Sequence, residues 1–271
     1  MVLSGDELRK AILTQGFVVV PGVVPLALCK SVVQAICETA GIDQDDNSTW
    51  YQPGFAGLGI VALHHHQALW DLRQYPALYD VFRSVYQQDQ LWVSMDRVGY
   101  KPPAGPASAD WPQHAVHWDC DPWQFEGFDL QGLVYLTDTT ADQGAFACVP
   151  TIYRALDAWR REHLQDANRR HPQVADDLLV PVPGPAGALV LFHRLMPHTN
   201  LKNLSPRPRF TQYVTMSPVG NNDARAKRVA EWADRLPPEW ARRQYGTDAP
   251  EPGPLAELTP LGRKLVGIDA W

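Results

Sequence analysis

The chain has 271 residues, of which 45% are hydrophobic and 20% charged, and its formal net charge is −6. That profile belongs to a globular protein long enough to bury a sizeable core, and it excludes a disordered or fibrous chain. Nucleic acid and anionic membrane surfaces both demand a basic face, so neither is expected as the main partner.

Four cysteines (Cys29, Cys37, Cys120 and Cys148) are too few and too scattered for a disulfide framework or a zinc module. They read as small buried apolar residues. No basic segment leads into an apolar stretch near residue 1, so no signal peptide is expected. The apolar runs are far shorter than a membrane span. A soluble, cytoplasmic protein with one core is the expectation. Proline reaches 24 residues, well above its average share of about 5%. That suits short strands joined by irregular loops.

In chain order, residues 5–15 carry Leu8, Ile12 and Leu13 at helical spacing, and Gly16 stops them. Phe17-Val18-Val19-Val20 is a β-branched run closed by Pro21-Gly22, which predicts a buried strand. Pro25 opens a second helix with Leu28, Val32, Val33, Ile36 and Cys37 on one face, ending at Gly41. Residues 66–88 hold a helical pair split near Pro76. From Leu91 the rhythm changes, and strands are predicted at 91–100, 115–119, 130–137, 145–149, 188–192 and 210–217. A helical insert at 153–168 interrupts them, helix returns over 222–236, and a looser tail covers 261–271. This order predicts a mainly β fold with an α jacket in a single domain, 1–271. Its helical N-terminal part covers about 1–90, its β core about 91–217 and its helical C-terminal part about 218–271.

The most informative stretch is Gln113-His114-Ala115-Val116-His117-Trp118-Asp119-Cys120-Asp121. On a strand, residues two apart share a face, so His117 and Asp119 project together while Trp118 and Cys120 point away. An imidazole nitrogen beside a carboxylate oxygen supplies two ligands of the 2-His-1-carboxylate triad used by non-haem Fe(II) oxygenases. Alone, His-x-Asp is a common polar pair. His114 falls on the opposite face, and Asp121 precedes Pro122 and marks the strand's end.

Several histidines compete for the third position. His64-His65-His66 reads as exposed or helix-capping, while His163 and His171 flank a charged insert and read as solvated. His193 ends a strand. His198 is the better candidate, because a polar loop and then Arg209, opening a β-branched strand, follow it. A guanidinium grips a carboxylate through two parallel hydrogen bonds, which an ammonium does less well. Arg207 shares strand parity with Arg209 and is the rival clamp; its plainer reading is a solvated loop arginine.

The ordered set of His117-x-Asp119, the run 187–192, His198 and Arg209 resembles the phytanoyl-CoA dioxygenase family of Fe(II)/2-oxoglutarate oxygenases. Residues 16–25 are similar to that family's first strand-to-helix segment. Gly144-Ala145-Phe146-Ala147-Cys148-Val149-Pro150 lies where the family has Gly-x-Leu-x-x-x-Pro-Gly-Ser-His. The resemblance spans about residues 12–217. It implies a double-stranded β-helix, a cupin-like jelly roll, with the metal at one mouth. His117, Asp119 and His198 would be the Fe(II) ligands, and Arg209 would bind the distal carboxylate of 2-oxoglutarate. Cosubstrate contacts are implied at Tyr135 and at Asn200, which follow the first and second histidine at the family's spacing.

The implied enzyme uses Fe(II), 2-oxoglutarate and O2 to hydroxylate or otherwise oxidise an unactivated C–H bond of a small hydrophobic or ring-bearing molecule. 2-Oxoglutarate is decarboxylated to succinate. Related halogenases replace the acid with a small residue to admit halide; Asp119 is retained, so oxygenation is expected. After Pro150 the chain reads Thr151-Ile152-Tyr153-Arg154 in place of Gly-Ser-His. That loop borders the site in the family, so no member's substrate carries over. Trp92, Met95, Tyr100, Trp111, Trp123 and Phe125 are candidate pocket walls, each equally readable as core. Arg97 and Lys101 suit either an anionic substrate or a solvated edge.

Two other classes stay open. A cupin-type metalloenzyme independent of 2-oxoglutarate would share the three ligands, and Arg209 weighs against it. A non-catalytic small-molecule-binding protein would ordinarily have lost a ligand, and none is missing. A monomer or homodimer is expected, with 261–271 apolar enough to dock on its own jacket or on a second subunit.

Overall fold

Ser4 and Glu7 exchange side-chain-to-backbone hydrogen bonds in a capping box that starts α1 (Gly5–Gln15). The structure, a computed structural model, describes residues 3–52, 59–108, 115–164, 168–246 and 248–271. After β1 (Phe17–Val20), Pro25 caps α2 (Leu26–Ala40), whose Cys29, Val32, Val33 and Ile36 form one buried stripe. His66 caps α3 (Gln67–Arg73), and Pro76 begins α4 (Pro76–Tyr86) at the first helical position. Both helices bury leucines against the core.

The larger sheet has six antiparallel strands. Their order is β1, β8 (Leu189–His193), β5 (Leu130–Tyr135), β10 (Arg209–Tyr213), β4 (Val98–Lys101) and β2 (Ile60–Val61). A three-stranded sheet runs β7 (Val180–Pro181), β6 (Phe146–Cys148), β9 (His198–Asn200). β3 (Leu91–Val93) pairs separately with β11 (Met216–Pro218).

Period-two alternation divides the large sheet between two cores. Leu130, Val134, Leu189, Leu191 and Phe210 face the helices. Leu133, Tyr135, Val190 and Phe192 face Phe146, Cys148 and Val182 of the smaller sheet. Each such fully buried side chain contributes about 1.5–3 kcal/mol relative to exposure.

The fold class differs from the mainly β expectation. Helix accounts for 36% of the described residues and strand for only 18%, so the protein is mixed α/β with antiparallel sheets. The predicted run 91–100 is two strands in different sheets, divided by a loop at 94–97, and 210–217 likewise splits into β10 and β11. No strand forms at 115–119. Only His117 makes a bridge there, because the Trp118 N–H turns to the Arg170 carbonyl and the chain bends at 119–120.

Several elements escape the pattern reading. β2, β7 and β9 are too short for a hydrophobic run to mark them. The insert begins earlier than expected, as α5 (Pro150–Arg154) and α6 (Leu156–Glu162). α7 (Asn222–Ala233) is followed by α8 (Glu239–Tyr245) and α9 (Pro260–Val266). The tail docks on its own chain: Leu265 and Val266 are buried, and Trp271 stacks on Tyr79 at 5.5 Å. Among the described residues no helix is long and apolar enough to cross a membrane.

Candidate metal centre

His117 and His198 are brought together by the backbone. The His117 N–H donates to the His198 carbonyl at 3.0 Å, and the His198 N–H donates back at 3.0 Å. Directly opposed residues in an antiparallel bridge project to the same side, and the two imidazole centroids lie 4.5 Å apart. The bend after Trp118 then turns Asp119 toward both rings. Its Oδ1 is 3.7 Å from His117 Nε2, and its Oδ2 is 3.6 Å from His198 Nε2. One ligand atom from each of the three lies within 4.8 Å of the others.

The protonation pattern suits a metal. His117 Nδ1 lies 2.9 Å from the Ala115 carbonyl and His198 Nδ1 lies 3.0 Å from the Met196 carbonyl. A carbonyl can only accept, so each Nδ1 carries a proton, and Nε2 is the nitrogen that each ring turns toward Asp119. Burial pushes His198 down to about 4, reinforced by His117 and opposed by Asp119, so it is neutral at pH 7. Burial alone raises Asp119, but His198, His117, the Gln131 amide and Arg170 together hold it below the usual carboxylate range. Gln131 Nε2 donates to Asp119 Oδ2 at 2.5 Å. Two imidazoles and one carboxylate fit a divalent transition metal. The Asp119 side chain is 43% exposed, so the cluster opens to one side.

Arg209, at the start of β10, is 1% exposed. Its Nη1 donates to the Gly144 carbonyl at 2.6 Å and to Asn200 Oδ1 at 2.7 Å. Asn200 is two residues beyond His198 on β9, so it links this guanidinium to the triad. No acid pairs with Arg209 among the described residues, and its Nε is buried without a partner. Thr211, next on the same face, also holds a buried hydroxyl without a partner. Lys101 lies opposite Arg209 in the β4–β10 register and donates from Nζ to the Asn200 carbonyl at 3.1 Å. Burial, with Arg209 and Lys202, pushes it down to about 7.

The profile of the phytanoyl-CoA dioxygenase (PhyH) family matches residues 12–211. The chain belongs to the phytanoyl-CoA dioxygenase family. A comparison with curated protein sequences gives no match. Among solved structures, the fold is similar to that of GlcNAc-inducible gene 2 protein (GIG2, DUF1479) from Candida albicans. The TM-score is 0.74 at 11% identity, covering 97% of this chain and 76% of the other. It is also similar to the epimerase SnoN in complex with Fe3+, α-ketoglutarate and nogalamycin RO. There the TM-score is 0.54 at 18% identity, covering 94% and 95% of the two chains. EvdO2 from Micromonospora carbonacea var. aurantiaca, complexed with 2-oxoglutarate, gives 0.52 at 18% identity, covering 82% and 96%.

Within this phytanoyl-CoA dioxygenase-family chain the remaining candidates fall in different places. Arg207 is exposed, whereas Arg209 is buried beside Asn200. The Tyr135 hydroxyl donates to the Val182 carbonyl at 2.7 Å and accepts the Phe146 N–H at 3.1 Å, so its proton is already committed. His64 and His65 are not exposed, as expected, but buried on the helical side. His163 is half-buried, stacking on Trp159 at 4.2 Å. His193 packs against Phe128 and Tyr153.

Of the expected walls, Met95 and Tyr100 belong to the helical core, and Trp92 sits under Arg228. Trp123 packs at a tilt against Trp159, and Phe125 lies under Arg194. His114 and Trp111 lie outside the described residues. Sequence reading misses Thr211, whose signal is its parity with Arg209, and underrates Lys101, while His171 is exposed as expected. The His171 ring lies 6.2 Å from that of His117.

Proposed function

We propose that the protein is an Fe(II)- and 2-oxoglutarate-dependent oxygenase acting on a small organic molecule, with residues 1–271 forming one domain. The two facing sheets are read as a double-stranded β-helix, in keeping with the family. One observation carries the reading. Beside a two-histidine, one-carboxylate cluster, a buried guanidinium presents its charge with no acid among the described residues to neutralise it. A buried unpaired charge is costly, so a cleft that keeps one is built for an anionic guest. SnoN and EvdO2, both similar in fold, were crystallised with that cosubstrate.

His117, Asp119 and His198 would hold the metal. Fe(II) with 2-oxoglutarate and O2 supplies an oxidant able to attack an unactivated C–H bond, and the cosubstrate leaves as succinate. Arg209 would bind the distal carboxylate through its unpartnered edge, with the Thr211 hydroxyl beside it and Asn200 fixing the guanidinium plane. Lys101 would add a second positive charge. Phe146 and Phe192, with rings 5.6 and 4.8 Å from His198, exclude water from that ligand's inner side. A metalloenzyme independent of 2-oxoglutarate leaves the Arg209 charge unexplained, and a binding protein leaves the complete ligand set unexplained.

The test is anaerobic titration of the metal-free protein with Fe(II) and 2-oxoglutarate, following the weak visible charge-transfer band of the chelate. Saturation at one equivalent, lost in Asp119→Ala, is expected. Iron binding without a band would remove Arg209 from the cosubstrate role, and no iron binding would end the oxygenase reading.

A further inference from the structure

The loop that follows α6 returns to the triad and is tied to it by the backbone. The Trp118 N–H donates to the Arg170 carbonyl at 2.9 Å, and Arg170 Nε donates to the Trp118 carbonyl at 3.1 Å. Trp118 stands between His117 and Asp119, so this reciprocal pair fixes Arg170 against the metal segment. Next to it, His171 lies with its ring 28° from the plane of His117, and Asn168 Oδ1 holds its Nδ1 at 2.9 Å.

With Nε bound to Trp118, the edge of Arg170 left over is the one formed by Nη1 and Nη2. Neither nitrogen has an acceptor among the described residues, although the protein carries 30 acidic side chains. The other charges around Asp119 are answered. Arg194 is paired with Asp129 at 2.7 Å, and Asp96 lies in the fields of Arg97 and Arg73. Arg170 is exposed, so its free edge is open to solvent beside the segment that carries His117 and Asp119. Arg209 approaches from β9 and β10, on different partners, so the two guanidiniums serve different guests.

We propose that Arg170 anchors the substrate through a carboxylate, which makes the substrate a small carboxylic acid. The proposal rests on the oxygenase reading above and names the substrate class for that site. The Nη1–Nη2 edge offers two parallel N–H bonds, the pattern that a planar carboxylate matches and a neutral amide or alcohol does not. The tie to Trp118 orients the guanidinium before the substrate arrives, which reduces the ordering cost of binding.

The probes are phenylacetate, 3-phenylpropionate and indole-3-acetate, each beside its carboxamide, with phenyl phosphate as a further arm. They are titrated anaerobically into the Fe(II)- and 2-oxoglutarate-loaded protein. Two readouts are followed, the shift of the charge-transfer band and the quenching of tryptophan fluorescence near Trp118. At least one acid is expected to bind roughly ten-fold or more tightly than its amide, the margin of a charge-assisted pair. In Arg170→Gln that ratio falls to about one, and in Arg170→Lys it is partly regained, as a point charge without the fork allows. Because the ratio is read within each variant, a general loss of stability does not imitate it.

An unchanged ratio in Arg170→Gln overturns the proposal, as does failure of every acid to bind. Tighter binding of phenyl phosphate, lost in Arg170→Gln, overturns the carboxylate class in favour of a phosphate ester. If the band is absent in the wild-type protein, the oxygenase reading has failed. The fluorescence ratio then still decides for or against the anchor.

Discussion

Gln131 holds the triad carboxylate without being a ligand candidate. Its amide donates to Asp119 Oδ2 while its own Oε1 is buried without a partner. Replacing it by leucine leaves one carboxylate oxygen free to rotate away from the shared centre. Gln131→Leu is therefore expected to weaken Fe(II) binding about 10–100-fold, read by titration, with the melting temperature little changed. Gly99 is the corresponding test of the cosubstrate end. A Cβ there would collide with Thr211 Oγ1 and come within 3.3 Å of Arg209 Nη2. Gly99→Ala should raise the KM for 2-oxoglutarate about ten-fold, since overpacking costs about 1–3 kcal/mol. Fe(II) affinity should stay the same; an unaltered KM would separate Arg209 from the cosubstrate.

At the scale of elements, the site depends on pairings distant in sequence. Gly187 leads into β8 at φ 79°, its N–H donating to the Tyr135 carbonyl and its carbonyl accepting the Val24 N–H. An alanine Cβ would collide with the Val24 carbonyl and occupy a strained backbone region as well. Gly187→Ala should cost more than about 1 kcal/mol, seen as a lowered urea midpoint with unchanged slope. The strongest elements here are legible in the sequence: β1, α1 and α2 have clear periodicity and are closed by Gly16, Pro21 and Gly41.

The triad is legible for a different reason from the one that holds it together. Strand parity puts His117 and Asp119 on one face, yet residues 115–119 form no strand; a single bridge and a bend bring the pair together. The bridge joins His117 to His198, and such a nonlocal pairing leaves no mark in one sequence. Lys101 looks like a solvated edge until the register sets it opposite Arg209. α8 and α9 are short, with only Pro238 and Pro260 at their starts to announce them.

For the molecule as a whole, the C-terminal segment is sewn to the helical side by buried polar groups that titrate. The Glu251 carboxylate accepts the His64 and His65 N–H groups at 2.5 and 2.9 Å, and Arg235 Nε donates to the Glu251 carbonyl at 2.8 Å. His65 Nε2 lies 2.7 Å from the Leu236 carbonyl, so it is the donor there. Burial, aided by neighbouring Arg73, pushes His64 down to about 4 and His65 to about 3. Both are neutral when folded and titrate near 6.5 when unfolded. The unfolded chain therefore binds more protons as pH falls below 6.5. The stability these groups contribute is fully present above that pH and declines toward about 4 and about 3. Melting temperature should be level from pH 8 to 7 and fall from 6.5 to 5. His65→Gln keeps a donor for the Leu236 carbonyl but has no proton to gain. It should recover about 2 kcal/mol of the loss between pH 6.5 and 5, the value of 1.5 pH units at one group. Parallel pH curves for variant and wild type would mean that His65 does not couple the C-terminal segment to proton uptake.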